Sequence, residues 1–82
     1  MYMVYILQCA DGSLYTGITN HLAKRLAKHQ AGQASRYTRT HPVWRLVYTE
    51  RKRSIGAALK REYAIKQMTR TQKLNLIAAT VV

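Results

Sequence analysis

The side chains whose types could carry charge or move protons are two phenols, Tyr5 and Tyr15, an arginine and a histidine, Arg25 and His29, and a carboxylate, Glu62. Arg25 and His29 are four residues apart, so a helix stacks them on one edge and lets both reach a common point. Tyr5 and Tyr15 flank the turn signal Asp11-Gly12. Glu62 is one of only 3 acidic residues. Asp11 is accounted for by the turn, and Glu50 sits at a strand end among basic residues. Wheel positions put Glu62 and Lys66 in the inward stripe of a helix. A carboxylate there is costly unless it is paired or holds a metal, so Glu62 is the first choice for any carboxylate-bound cation. Plainer readings stay open at this point: a Glu62–Lys66 pair one turn apart, a solvated Arg25, and a His29 that caps a helix C-terminus.

The charge names the partner class. Fourteen Lys and Arg against 3 Asp and Glu give a formal net charge of +11, which favours a polyanion. Nucleic acid comes first. An anionic membrane comes second and lacks support, because no strongly amphipathic basic helix is present. Arg36 and Arg39 with Tyr37 between them suit phosphate contact and stacking, although an ordinary polar loop reads the same way. Other chemistries are excluded. The 4 glycines are scattered and form no phosphate loop. His21, His29 and His41 lack metal-ligand spacing, and Cys9 is the sole cysteine, read as a small buried hydrophobe. With no signal sequence and no stretch able to cross a bilayer, a cytoplasmic protein is expected, as one domain over residues 1–82.

The elements that must position these residues follow the order β-β-α-β-α-α. The hairpin permits two registers. A two-residue turn at Asp11-Gly12 puts the phenols on opposite faces. A three-residue loop, Ala10-Asp11-Gly12, with Gly12 left-handed, pairs Tyr5 with Gly17 and Leu7 with Tyr15. Both phenols then share a face, and Val4, Ile6, Leu14 and Ile18 form the other. Asn20 is the expected cap of a helix from His21 to Ala31, ended by Gly32, with Leu22, Ala23, Leu26 and Ala27 inward and Lys24 and Lys28 solvated. Residues 33–42 read as a loop. A strand from Val43 to Glu50 alternates Trp44, Leu46 and Tyr48 against Val43, Arg45 and Val47. Ser54 caps a helix of about Ile55 to Met68 with Ile55, Ala58, Leu59 and Ile65 inward. Thr69 and Gln72 make a capping box for a last helix, Arg70 to Ala79, with Leu74, Ile77 and Ala78 on one side. An exposed strand edge or the Val81-Val82 end leaves a weak dimer open beside a monomer.

Met3-Val4-Tyr5 followed by Tyr15-Thr16-Gly17, with Arg25, His29 and Glu62 in order, resembles the GIY-YIG nucleases. The segment Asp11 to Thr19, Tyr37-Thr38-Arg39 and the Glu62…Lys66 helix look like the small stand-alone bacterial members. The resemblance covers nearly the whole chain. It implies an α+β fold, a three-stranded antiparallel sheet flanked by helices. It also implies metal-dependent hydrolysis of phosphodiesters, DNA more than RNA. In that reading Tyr5 is the general base, helped by the positive charge of Arg25 and of one Mg²⁺ or Mn²⁺ on Glu62, and Arg25 stabilises the transition state. His29 and Tyr15 orient phosphate or water or relay a proton. Gly17 allows close approach to Tyr5, and Lys28, Arg36, Tyr37, Arg39, Arg45 and Lys66 contact nucleic acid. Some family nucleases use a late asparagine, and Asn75 stands near that place. The alternatives to an enzyme are a non-catalytic nucleic-acid-binding module, or a basic subunit that cleaves only with a partner protein.

Overall fold

The β-branched and aromatic run Tyr2–Cys9 forms β1, the central strand of an antiparallel sheet ordered β2-β1-β3. Its neighbours are β2, Leu14–Thr19, and β3, Val43–Lys52. The computed structural model describes residues 1–79, so the Val81-Val82 end lies outside the described residues. Helices α1 (Leu22–Gln30), α2 (Arg36–Thr40), α3 (Ile55–Lys66) and α4 (Arg70–Ala79) complete the fold. The expected α+β architecture and element order hold, with α2 as an added short helix inside the segment read as a loop. Ser35 explains it: its hydroxyl accepts the Thr38 amide and so caps the first turn.

The hairpin uses the three-residue loop. Cys9 N–H donates to the Ser13 carbonyl, Gly12 N–H donates to Cys9, and Gly12 takes φ +87°. Tyr5 is therefore opposite Gly17 and Leu7 opposite Tyr15, with both phenols on one face. On the other face Val4 and Ile6 are fully buried with Tyr48, Ala58 and Ile65, flanked by Leu14, Ile18, Leu76 and Ile77. Each buried Val or Ile contributes about 1.5–3 kcal/mol. This layer fixes α3 and α4 against the sheet, while α1 and α2 cover the phenol face.

Several local expectations change. Helix α1 has His21 at its cap position with no side-chain bond, and the His21 amide instead donates to Thr19 Oγ1, so Asn20 is not the cap. Its buried residue is His29, while Ala23 and Ala27 are exposed. Gly32, at φ +73°, ends the helix as expected, its amide bonded to His29 and that of Gln33 to Lys28. In β3, register shifts between Ile6/Leu7 and Gln8/Cys9 place Tyr48 beside Ile6 but Leu46 beside Leu7. The bulges break the period-two alternation, so Leu46 and Tyr48 lie on opposite faces. On α3, Ser54 caps as expected, but Ile55 and Leu59 are about half exposed and only Ala58 and Ile65 are buried. On α4 the capping box forms in both directions, from Thr69 N–H to Gln72 Oε1 and from Gln72 N–H to Thr69 Oγ1. Leu76 and Ile77 pack inward while Leu74 is exposed.

Candidate active site

On the phenol face, Tyr5 leans across β2 and meets α1. Its ring lies against Gly17, where an added Cβ would stand 2.5 Å from the phenol oxygen. Gly17 therefore makes room for Tyr5 itself and has no open surface to offer a substrate. The phenol is 2.7 Å from His29 Nε2, and His29 Nδ1 is 2.7 Å from Thr38 Oγ1, which in turn is 2.9 Å from Ser35 Oγ. Tyr5 and His29 are each 1% exposed and Thr38 2%, so every proton in this chain needs an internal acceptor. One arrangement satisfies all of them. Tyr5 donates to Nε2, Nδ1–H donates to Thr38, and Thr38 donates to Ser35, whose oxygen already accepts the Thr38 amide. The opposite tautomer would leave the phenol hydrogen without an acceptor among the described residues.

Thr38 and Ser35 are the residues that reading the sequence missed. The signal was present as a Ser with a Thr three positions on, the spacing of a side-chain cap. It became visible as a His29 support only once α2 folded over α1.

Around this buried chain stand half-buried groups. Tyr15 meets His29 edge-on at 5.2 Å, stacks on Tyr37 at 5.9 Å, and Tyr37 stacks on His41 at 4.0 Å. Burial and the neighbouring Tyr15 push the Tyr5 phenol above its usual range. Arg25 pulls it down and Glu62 adds to the rise, so both charges are felt at the phenol oxygen. The phenol is thus protonated near neutral pH; the cation alone does not yield a phenolate. Burial first, and then Arg25, lower the pKa of His29, keeping it neutral and able to accept a proton.

Glu62 is the inward carboxylate of α3, its side chain 19% exposed and 3.3 Å from Lys66 Nζ. The carboxylate is thus inward and paired with Lys66 one turn on. Lys28, Arg36, Arg39 and Lys66 are exposed and Tyr37 half-buried. Arg45 is not brought to the site. It sits on β3, on the face opposite the phenols, donating to Gln8 Oε1 at 3.0 Å and stacking on Trp44 at 4.3 Å. Asn75 is exposed on α4. Among the described residues no group of three or more His, Cys, Asp or Glu side chains is placed to hold a metal, and no helix is long and apolar enough to cross a membrane.

The neutral, buried His29 makes stability depend on pH. A histidine whose folded pKa lies below its unfolded value binds fewer protons in the native state, so stability rises with pH. Melting temperature is expected to fall as pH drops below about 6.5, and to keep falling until the lower folded value is passed. His29→Gln should flatten that part of the profile relative to the wild type. Equal slopes in the two proteins between pH 5 and 7.5 would rule the assignment out.

The family model described as GIY-YIG catalytic domain matches residues 1–75. The UPF0213 protein of Desulfotalea psychrophila is 49% identical over 80 residues, covering 96% of this chain and 73% of the relative. That of Natronomonas pharaonis is 47% identical over 75 residues, with 92% and 88% covered. A UPF0213 protein of Staphylococcus aureus is 47% identical over 76 residues, 93% of each. The solution NMR structure of a UPF0213 protein from Bacillus halodurans superposes with TM-score 0.64 at 40% identity, covering 98% of this chain and 86% of that one. With the two motif tyrosines on one face and the helix arginine and glutamate both acting on the first of them, the chain belongs to the GIY-YIG domain family, among its small UPF0213 members.

Proposed function

We propose that this domain is a metal-dependent endonuclease that hydrolyses phosphodiester bonds of nucleic acid, with DNA favoured over RNA. The observation that carries it is the buried Tyr5–His29–Thr38 hydrogen-bond chain under the influence of Arg25 and Glu62, in a domain of net charge +11. A non-catalytic binder needs the charge but not a phenol wired to a neutral imidazole.

Attack by water on a phosphate requires the water to lose a proton as the bond forms. The Tyr5 oxygen takes that proton while its own passes to His29 Nε2, and Nδ1–H stays on Thr38 to hold the ring in place. The phenol's high proton affinity makes it a strong base once its proton has moved, and the neutral histidine makes that move possible. Arg25, half-buried beside them, stabilises the charge that builds on the phosphate. Tyr15 positions the phosphate or the water.

A single carboxylate fits Mg²⁺ or Mn²⁺, since such ions are commonly held by one or two carboxylates with water and substrate phosphates. Glu62 is that carboxylate, and Lys66 keeps it paired in the free protein. When bound, the ion supplies charge stabilisation at the phosphate and the leaving oxygen.

The test is nicking of plasmid, branched and single-stranded DNA, and of RNA, with and without Mg²⁺ or Mn²⁺, in the wild type and in Glu62→Gln. The variant keeps the shape and removes the charge. Losing several kcal/mol of charge stabilisation should slow cleavage at least about 100-fold, with no rescue by excess metal and no loss of DNA affinity. Undiminished cleavage by folded Glu62→Gln would remove the metal assignment. A wild type that binds nucleic acid yet cleaves none of these substrates would reduce the domain to a binder.

A further inference from the structure

Two cationic clefts lie at opposite ends of β2. One, of about 90 Å³, is lined by Thr19, Asn20, His21, Lys24, Arg25 and Lys28 at the end of the strand. The other, of about 210 Å³, is lined by Ser13, Leu14, Tyr37, Arg70 and Lys73 at its start. Each shares a wall with the candidate site, the first through Arg25 and the second through Tyr37, which stacks on Tyr15. The Tyr5 phenol lies over Gly17, between them.

Arg70 and Lys73 belong to α4, an element the site does not otherwise use. Arg70 Nη1 donates to the Gly12 carbonyl at 2.9 Å, which anchors the guanidinium at the hairpin tip and leaves its other N–H groups available. Lys73 follows three residues on, on the same side of the helix, and is half-buried. No carboxylate neutralises either among the described residues. Glu50 is held by Lys52 and Arg61, Glu62 by Lys66. Asp11, at the hairpin tip, turns Oδ1 onto the amide and hydroxyl of Ser13 and is exposed, so two cations outweigh it. A cleft with two unneutralised cations, a phenol and a serine matches a phosphate diester better than an apolar ligand.

Resting on the nuclease reading, the geometry points to Arg70 and Lys73 as a second backbone-phosphate subsite. The substrate strand then runs alongside β2 from the Lys24–Lys28 cleft, past the half-buried Tyr15 at the edge of the candidate site, to the Arg70–Lys73 cleft. The 6 residues of β2 span about 20 Å, which one strand of a B-form duplex covers in about six nucleotides. The scissile phosphate is therefore gripped on both sides, and the grip at the hairpin end comes from α4.

The experiment measures binding of a fluorescein-labelled 20-nucleotide DNA, single-stranded and duplex, by anisotropy across a salt series. Cleavage is suppressed by carrying Tyr5→Phe in every protein. Arg70→Ala/Lys73→Ala is compared with Lys24→Ala/Lys28→Ala, with circular dichroism and melting confirming the fold. Because Arg70 also holds the hairpin tip, Lys73→Glu, which breaks no hydrogen bond or ion pair among the described residues, is run beside them. Each double variant should weaken binding about tenfold and reduce the log–log salt slope by about two, and Lys73→Glu should weaken it as well. Unchanged affinity and slope in both α4 variants, while Lys24→Ala/Lys28→Ala binds more weakly, would overturn the subsite and leave the nuclease reading standing. A parent protein that binds neither DNA would instead bring down that reading, and the subsite with it.

Discussion

Replacing Tyr5 by phenylalanine is expected to slow cleavage by about 10²–10⁴-fold, the range set by losing a positioned proton acceptor, with nucleic-acid binding close to wild type. The phenol touches the proton-accepting His29 at 2.7 Å and feels the charges of Arg25 and Glu62. Phenylalanine keeps the ring against Gly17 and removes only the oxygen. The structural cost is bounded: His29 Nε2 loses its partner in a site 1% exposed, which costs about 1–3 kcal/mol. An 82-residue domain tolerates that, since at about 0.05–0.15 kcal/mol per residue its stability is about 4–12 kcal/mol. The measurement is single-turnover nicking at saturating protein, together with thermal melting. A folded Tyr5→Phe protein that nicks within threefold of wild type would show that the phenol is not the proton acceptor. His29 would then be the next candidate, because neutral imidazole is the other base in the chain.

Why some of this site was legible and some was not follows from what sets each residue's position. The shared face of Tyr5 and Tyr15 depends on one parity choice, and Asp11-Gly12 within a three-residue loop carries it. Gly12 supplies the positive φ that the bulged loop requires. The inward placement of Glu62 came from helical periodicity, a local property. Arg45 lies on the face opposite the phenols because its side of β3 is set by bulges that no local pattern announces. The same bulges separated Leu46 from Tyr48. On α1 an apolar stripe does not mark the inner face, because the buried residue is a histidine satisfied by two hydroxyls. One partner, Thr38, lies nine positions on and the other, Tyr5, lies 24 positions back on β1, so helical spacing does not show them. The exposed Ile55 and Leu59 on α3 make the same point in reverse. Apolar residues at helical spacing need not face the core.

Gly17→Ala is the sharper test of the arrangement, because one methyl group is aimed at the phenol. Its carbon would stand 2.5 Å from the Tyr5 oxygen, 2.6 Å from Cζ and 3.2 Å from Cε1. Strand β2 cannot retreat, since Gly17 is paired with Tyr5 in the middle of the ladder. The ring has little space to swing into, being buried and edge-on to His29 at 5.7 Å. Forcing it aside combines an overpacking cost of about 1–3 kcal/mol with a lost or lengthened bond to His29. In a domain of this size each kcal/mol lowers the melting temperature by about 4–8 °C, so a fall of about 10–20 °C is expected. Cleavage should drop as far as in Tyr5→Phe, even though no catalytic atom has been removed. The double variant Tyr5→Phe/Gly17→Ala should cleave no more slowly than the worse single variant, because both changes disable one proton-transfer unit and energetically coupled neighbours do not add. Full additivity of the two rate losses would mean that Gly17 acts on cleavage independently of Tyr5. A Gly17→Ala protein with wild-type melting and wild-type cleavage would mean that the phenol does not lie across β2 at all.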